Sequence, residues 1–151
     1  MQGFVNLKVR QNQHLQRKLT PDFVIDWLYK KVQKQINKVN EIGKIFNYFT
    51  PFESIFEKAE KAKQVISPGT QFGEGWLISG EILSFASQGV NHVISLQPFG
   101  CIANHIVEKG IEKRIKSLCP QMNILSLDFD SSVSDVNITN RLLLFIDNIN
   151  N

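Results

Sequence analysis

Cysteine is scarce in this sequence, with only Cys101 and Cys119 among 151 residues. No apolar run reaches the roughly 18 residues that a membrane helix needs, so no transmembrane segment is predicted. The stretch Met1-Gln2-Gly3-Phe4 lacks the basic and then apolar residues of a signal peptide. We therefore expect a cytoplasmic protein in a reducing compartment, where a cysteine acts as a thiol, a thiolate or a metal ligand more often than as half of a disulfide.

Several catalytic motifs are also missing. There is no C-x-x-C pair, which excludes a thioredoxin-like dithiol, and no arginine follows Cys101 at the spacing of a phosphate-binding cysteine loop. There is no P-loop, no G-x-S-x-G and no H-E-x-x-H. Gly73-x-Gly75 precedes a helical segment without following a clear strand, so it is a weak dinucleotide fingerprint.

The composition is that of a globular domain, with 42% hydrophobic and 21% charged residues. The net charge of +3 is unevenly distributed, because residues 1–66 carry 12 basic against 6 acidic side chains and residues 67–151 carry 5 against 8. The lysines of the basic half fit the solvated face of a helix, and no nucleic-acid motif accompanies them. We expect neither a nucleic-acid nor a membrane partner.

Residues 1–69 are predicted to form a helical N-terminal segment. Thr20-Pro21 is a helix start, with a capping hydroxyl followed by proline at the first helical position. Thr50 and Glu53 repeat the signal at the spacing of a capping box. Apolar residues spaced three or four apart predict a core-facing stripe on the first helix: Val24, Leu28, Val32, Ile36, Val39, Ile42, Phe46 and Phe49.

Residues 70–151 are predicted to form a second domain in which helices and strands alternate. The predicted order is a helical segment at 76–88, a strand at 92–96, a helical stripe at 102–118 and a second strand at 123–127. A last helix follows Ser132 and Asp135, which match the pattern of a capping box. This order predicts an α/β fold, a Rossmann-like βαβα unit with a small parallel sheet preceded by long N-terminal helices.

Two parallel strands make a poor sheet on their own. Either residues 4–9, where Val5, Leu7 and Val9 alternate as in a strand, add a third strand, or this piece completes a larger sheet. We expect the missing surface to come from the remainder of a longer polypeptide or a partner subunit, with a homo-oligomer as an open alternative.

Ligands of open α/β sheets bind beyond the carboxyl ends of the strands, where the loops 97–105 and 128–132 should meet. Cys101 follows the first strand at a helix N-terminus, where the helix dipole and free N–H groups favour the thiolate. Gly100 lets the backbone approach a ligand closely. His105 is a candidate second ligand, proton donor or capping neighbour. The alternative for Cys101 is a small buried hydrophobe.

Other candidates near this edge are acidic. Asp128 and Asp130 could bind a cation or a hydroxyl group, or they could cap the following helix. Glu74 and Glu81 could flank the site or lie on the surface. Cys119, near a helix end before Pro120, is predicted to be inert.

Four stretches resemble one family in order and spacing. They are GEGWLISGE (73–81), QPFGCIANHI (97–106), EKG (108–110), and NILSLDFD leading to SDVNITNRL (123–142). Over residues 70–145 the chain resembles the C-terminal end of large anaerobic proteins related to the 2-hydroxyacyl-CoA dehydratases and their ATP-dependent activases, the CoA-substrate-specific enzyme activases. The QPFGC…NH stretch is the most specific part, and residues 1–69 match only as helices.

The resemblance implies an iron–sulfur protein in which a 4Fe–4S cluster lies between Rossmann-like subdomains and receives an electron from an activase after ATP hydrolysis. Carried over position by position, only Cys101 matches a ligand, and Phe99, Gly100 and His105 lie beside it in the motif. The implied function is the C-terminal domain of an activase-fused, dehydratase-like protein that contributes one cysteine to a cluster used in electron transfer.

The chain also departs from the family pattern. A cluster needs three or four protein ligands, and Cys119 would lie about 25 Å from Cys101 along the intervening helix. The ATP-binding segments of an activase are absent, and DFDSSVSDVN has serines where a glycine-containing turn is expected. This chain alone is therefore expected to be inactive, with the other ligands outside it. A structural or assembly module without a cofactor is the alternative.

Overall fold

The computed structural model describes residues 2–12, 21–47, 49–71, 73, 75–129 and 134–150. Within these residues, six α-helices, one π-helix and two strands follow one another along the chain. They are α1 (Gln2–Asn12), α2 (Asp22–Gly43), α3 (Ile55–Ala62), α4 (Trp76–Ser87), β1 (His92–Pro98), the π-helix (Ala103–Glu108), α5 (Lys109–Leu118), β2 (Asn123–Phe129) and α6 (Asp135–Asn150).

The two strands pair in parallel along their full length. Ser95 lies directly opposite Ser126 in the register. The predicted mixed α/β architecture with a small parallel sheet is therefore confirmed. None of the described helices is long and apolar enough to cross a membrane.

One face of the sheet packs against α4, the π-helix and α5. Side chains alternate between the faces of a strand, so Val93, Ser95 and Gln97 share this face. Val93 and Ile124 pack against a buried cluster drawn from those helices and from the residue before β2: Ile82, Val107, Ile111, Ile115 and Met122.

A second cluster forms between α1, α3 and α4. Trp76 is fully buried at its centre, and its indole Nε1 donates a hydrogen bond to Asn6 Oδ1 at 2.8 Å. Helices α3 and α4 approach closely at Gly80, where an added Cβ would lie 2.6 Å from the Lys58 carbonyl oxygen. Ile66 packs against both clusters and joins them.

Residues 4–9 do not form a strand, so the sequence alternative of a third strand is wrong. They belong to α1, and Val5 is buried in the helical cluster with Val9 packed beside it. Residues four apart lie on one face of a helix, so the same apolar residues that alternate in a strand also line a helical face.

The predicted capping box at Thr50 and Glu53 is also wrong by four residues. Helix α3 starts after Ser54, whose side chain accepts from Phe56 N while Glu57 accepts from Ser54 N. The second capping box was predicted at Ser132 and Asp135, and Ser132 lies outside the described residues. The candidate site residues Glu74 and Asp130 also lie outside them.

Glu53 instead ties α3 to α4. Its carboxylate accepts from Lys61 Nζ at 2.5 Å and from Ser84 Oγ at 2.5 Å. Burial alone raises the pKa of the Glu53 carboxyl. The hydrogen bonds from Lys61 and Ser84 and the charges of Lys61 and Lys58 together lower it by more, so the pKa lies below its ordinary value.

The apolar stripe predicted on α2 faces the core only in part. Ile25 is buried on the neighbouring face, and Tyr29 packs edge-on against Phe56 and shares a 2.9 Å hydrogen bond with Ser54 Oγ. These contacts set the rotation of the helix about its axis. As a result, five residues of the stripe are more than a third exposed: Leu28, Val32, Val39, Ile42 and Phe46.

Candidate functional site

A tight turn ends β1 at the carboxyl edge of the sheet. Cys101 N donates to the Pro98 carbonyl at 3.1 Å, and Gly100 has a φ of +73° at the third position of the turn. That backbone conformation favours glycine. Phe99 N donates to the Phe129 carbonyl at 3.1 Å, which ties the turn to the end of β2.

Cys101 lies where the sequence places it, between the strand end and the start of the next helix. Its thiol is half-buried and donates to Asn104 Oδ1 at 2.9 Å. Asn104 Nδ2 in turn donates to the Leu96 carbonyl at 3.0 Å. His105 N donates to the Cys101 carbonyl at 2.9 Å and so begins the helical hydrogen bonding. The Asn104 side chain therefore holds the sulfur in place against β1.

The helix after Cys101 starts as a π-helix, Ala103–Glu108. Wider π-type turns are rare and occur often at functional sites. This one carries Glu108 under the sheet, where the residue is 1% exposed.

The Glu108 carboxylate joins both strands. It accepts from Ser95 Oγ at 2.9 Å, from Ser126 Oγ at 2.8 Å and from Gln97 Nε2. The sequence pattern did not predict this cluster. Polar residues at alternate positions of β1, Ser95 and Gln97, were the available signal, because such residues on a buried strand face need a polar partner.

His105 points to the second predicted loop. Its Nδ1 lies 3.6 Å from Asp128 Oδ1, and Lys109 Nζ lies 3.4 Å from the same oxygen. The structure thus brings together His105 and Asp128, which belong to the two loops predicted to meet at this edge. Glu81, a suggested flanking residue, instead pairs with Lys58 Nζ at 3.3 Å.

A cavity of about 480 Å³ opens at this carboxyl edge, hereafter the edge cavity. Its lining combines two aromatic side chains with polar groups: Gln97, Phe99, Gly100, His105, Asp128 and Phe129. Gln97 is fully buried, and its Oε1 has no hydrogen-bond partner among the described residues. Phe99 is 83% exposed at the rim.

The described part of the chain does not bring three His, Cys, Asp or Glu side chains together in a way that could hold a metal ion. Cys119 packs against the cluster under the sheet, after the end of α5. Cys101 therefore fits a metal cluster only as a single thiolate, with further ligands supplied from elsewhere. Comparison with protein-family models, with curated proteins and with solved structures found no match to this chain.

Proposed function

We propose that this chain is a Rossmann-like α/β domain of an activase-fused, 2-hydroxyacyl-CoA dehydratase-like iron–sulfur protein of the reducing cytoplasm, in which Cys101 is one ligand of a shared 4Fe–4S cluster. The observation that carries the proposal is the placement of a half-buried thiol at the carboxyl end of β1, in the turn that bears the QPFGC…NH resemblance. Such clusters supply one-electron transfer when bound.

The surroundings of Cys101 support a thiolate role. The sulfur lies at the start of a helical segment, where N–H groups and the helix dipole stabilise negative charge. Its hydrogen bond to Asn104 is one that a thiol donates, so deprotonation removes that contact. Ligation would replace this contact with a metal–sulfur bond, because the Asn104 amide keeps its orientation through the hydrogen bond from Nδ2 to the Leu96 carbonyl.

The test is anaerobic reconstitution of the full-length gene product with iron and sulfide. We expect Cys101→Ala to lose bound iron and visible absorption, because the cluster loses a ligand. Cys119→Ala is the matched control, since that thiol packs beneath the sheet, and it should retain both. Unchanged iron content in Cys101→Ala would overturn the ligand assignment.

A non-catalytic assembly module is the second candidate, favoured by the exposed apolar side chains of α2 and α6. On α6 the most exposed are Val136, Leu143 and Leu144, each near 60% or above. In this case the remainder of a longer polypeptide, a partner subunit or a second copy covers these faces. Full-length protein that binds no iron after reconstitution, and whose Cys101 resists a thiol reagent, would favour this function over the first.

A further inference from the structure

One side of α2 carries positive charge that no acidic residue neutralises. Lys31, Lys34 and Lys38 are spaced three and four apart, so they project from one face of the helix, and all three are exposed. Within the described part of the chain, none of the three forms an ion pair. The acidic residue nearest to them on the helix surface is Glu41, which is paired with Lys44 at 2.8 Å. This face, hereafter the lysine face, therefore attracts an anionic partner.

An apolar strip runs beside the lysine face. Leu28, Val39 and Ile42 lie on the adjoining face of α2, and each is more than a third exposed. From Leu28 to Ile42 the strip extends for about 21 Å along the helix. Because a basic face and an apolar strip adjoin one another, α2 has the amphipathic character of a helix that lies on a membrane surface.

Trp27 is placed as an interfacial anchor. It lies on the lysine face with 54% of the residue exposed, and Lys31 Nζ is 3.9 Å from the centre of its ring. Tryptophan is enriched at the headgroup level of membranes, because its ring is largely apolar while its indole N–H is polar. The same face thus supplies both the cations for lipid headgroups and an aromatic side chain suited to the headgroup region.

The packing of α2 favours a flat partner over an enclosing one. The side of α2 opposite the lysine face is occupied, since Ile25 is 2% exposed and Tyr29 packs against Phe56 of α3. A protein groove that surrounds a basic helix would need access to that side as well. A membrane surface contacts only the open side, so it fits the helix as it is held in the fold.

We propose that α2 binds an anionic membrane surface, with Lys31, Lys34 and Lys38 facing the lipid headgroups and the strip from Leu28 to Ile42 entering the interface. No membrane partner is expected from the sequence, because lysines alone fit a solvated helix face. The exposed strip and Trp27 change that expectation. The inference goes beyond the proposed function and involves no contact with Cys101.

The test is sedimentation of the full-length chain with lipid vesicles. One set contains phosphatidylcholine alone, and the other contains phosphatidylcholine with about one third phosphatidylserine. We expect binding to the anionic vesicles to be at least about tenfold tighter, since each lysine near such a surface contributes to affinity. High salt should weaken this binding by screening the charges. Equal binding to both sets, or no binding to either, would overturn the proposal.

Variants of the lysine face locate the charge contribution. The triple variant should lose at least about tenfold in affinity for the anionic vesicles; it combines Lys31→Gln, Lys34→Gln and Lys38→Gln. A control with the same change in net charge should bind as the wild type does; it combines Lys63→Gln, Lys113→Gln and Lys116→Gln, all exposed outside α2. Equal losses in the two triple variants would mean that net charge alone drives binding, which would refute the role of α2.

A matched pair of isoleucines tests the apolar strip. Ile42 is 62% exposed, and Ile106, on the π-helix, is 66% exposed. We expect Ile42→Ala to weaken vesicle binding about tenfold, because it removes apolar groups that enter the interface, and Ile106→Ala to leave it unchanged. Binding that is insensitive to Ile42→Ala would indicate a purely electrostatic surface, as for a nucleic acid, and would contradict the proposal.

Tryptophan fluorescence reports the contact directly. Trp76 is fully buried, so only Trp27 should shift to shorter wavelength and be quenched by brominated lipid when anionic vesicles are added. Trp27→Phe should remove this change. If vesicles have no effect and light scattering shows a dimer, the face belongs to a second copy and the proposal is wrong. Vesicle binding is also measured in Cys101→Ala, where we expect it to be retained, so its failure and failure of the cluster proposal give different results.

Discussion

Glu108 is a buried carboxylate held by side chains from both strands. Removing it leaves the donors of Ser95, Ser126 and Gln97 without their acceptor in the interior. We expect Glu108→Ala to lower the free energy of unfolding by about 3 kcal/mol, and Glu108→Gln by less because an amide oxygen still accepts. Urea unfolding measures both.

The matched control for Glu108 is Glu112→Ala on α5. Glu112 pairs with Lys116 at the surface, four residues along the same helix. That pair should contribute no more than about 0.5 kcal/mol. Similar losses for the Ala variants of Glu108 and Glu112 would contradict the role given to the buried cluster.

The pKa of Glu53 sets a pH dependence. Its value in the folded state lies below the ordinary 4.5, so its ionised form stabilises the fold fully above that pH. This stabilisation is lost as the pH falls through the folded-state pKa. We expect the difference in unfolding free energy between the wild type and Glu53→Gln to be largest at neutral pH and to shrink in acid. Glu60→Gln is the control for loss of a surface ion pair, because Glu60 and Lys63 are mostly exposed, and it should change the unfolding free energy by no more than about 0.5 kcal/mol at neutral pH.

The sequence predicted part of the candidate site. The Pro98 and Gly100 signals located the turn, and the strand–helix order placed Cys101 at the sheet edge with His105 close by. Glu108 could not be placed in the same way. The π-helix has more residues per turn than the 3.6 of an α-helix, so periodicity gives the wrong direction for Glu108.

Sequence periodicity predicted the positions of helices and strands better than it predicted which of their faces pack together. The two strands, α5 and the final helix lie close to their expected positions. The strand predicted at residues 4–9 was wrong because Val5 and Val9 fit one face of a helix as well as they fit a strand. Which side of α2 is exposed could not be predicted from the sequence. The rotation of the helix about its axis depends on the contacts of Tyr29 with Ser54 and Phe56, and both of these residues are far from Tyr29 in the sequence.

The α3–α4 contact depends on the absence of a side chain at Gly80. Gly80→Ala would place a Cβ against the Lys58 carbonyl of α3, so we expect destabilisation by about 1–3 kcal/mol. Gly110→Ala, in α5 with open space around the new Cβ, should instead stabilise by about 0.5–1 kcal/mol through helix propensity. Thermal unfolding compares the two, and a change of the same sign in both variants would argue against close packing at Gly80.

The two sides of α2 should differ in energetic importance. Ile25 is 2% exposed and Ile42 is 62% exposed. We expect Ile25→Ala to cost about 3 kcal/mol of unfolding free energy and Ile42→Ala to stay within about 0.5 kcal/mol. Urea unfolding of the isolated chain measures both. A large loss at Ile42 would mean that its face of α2 is already covered.

Ile66 connects the helical cluster around Trp76 to the cluster beneath the sheet. Trp76 fluorescence reports the first, and pulsed labelling of Cys119, which packs against the second, reports the other. With Trp27→Phe as background, we expect both signals to change at one urea concentration. Ile66→Ala should separate the two transitions, because the shared contact is lost. Separate transitions already present with Ile66 intact would show that the clusters unfold independently.

The hydrogen bonds from Ser95 and Ser126 to Glu108 also affect which register the two strands adopt during folding. Ser95 and Ser126 are direct partners in the register. A slip of β2 by one residue would turn Ser126 to the opposite face and bring a leucine, Leu125 or Leu127, under the sheet beside a carboxylate. Misaligned pairing therefore costs the Glu108 carboxylate one of its three hydrogen bonds, so this contact favours the native register of the two strands.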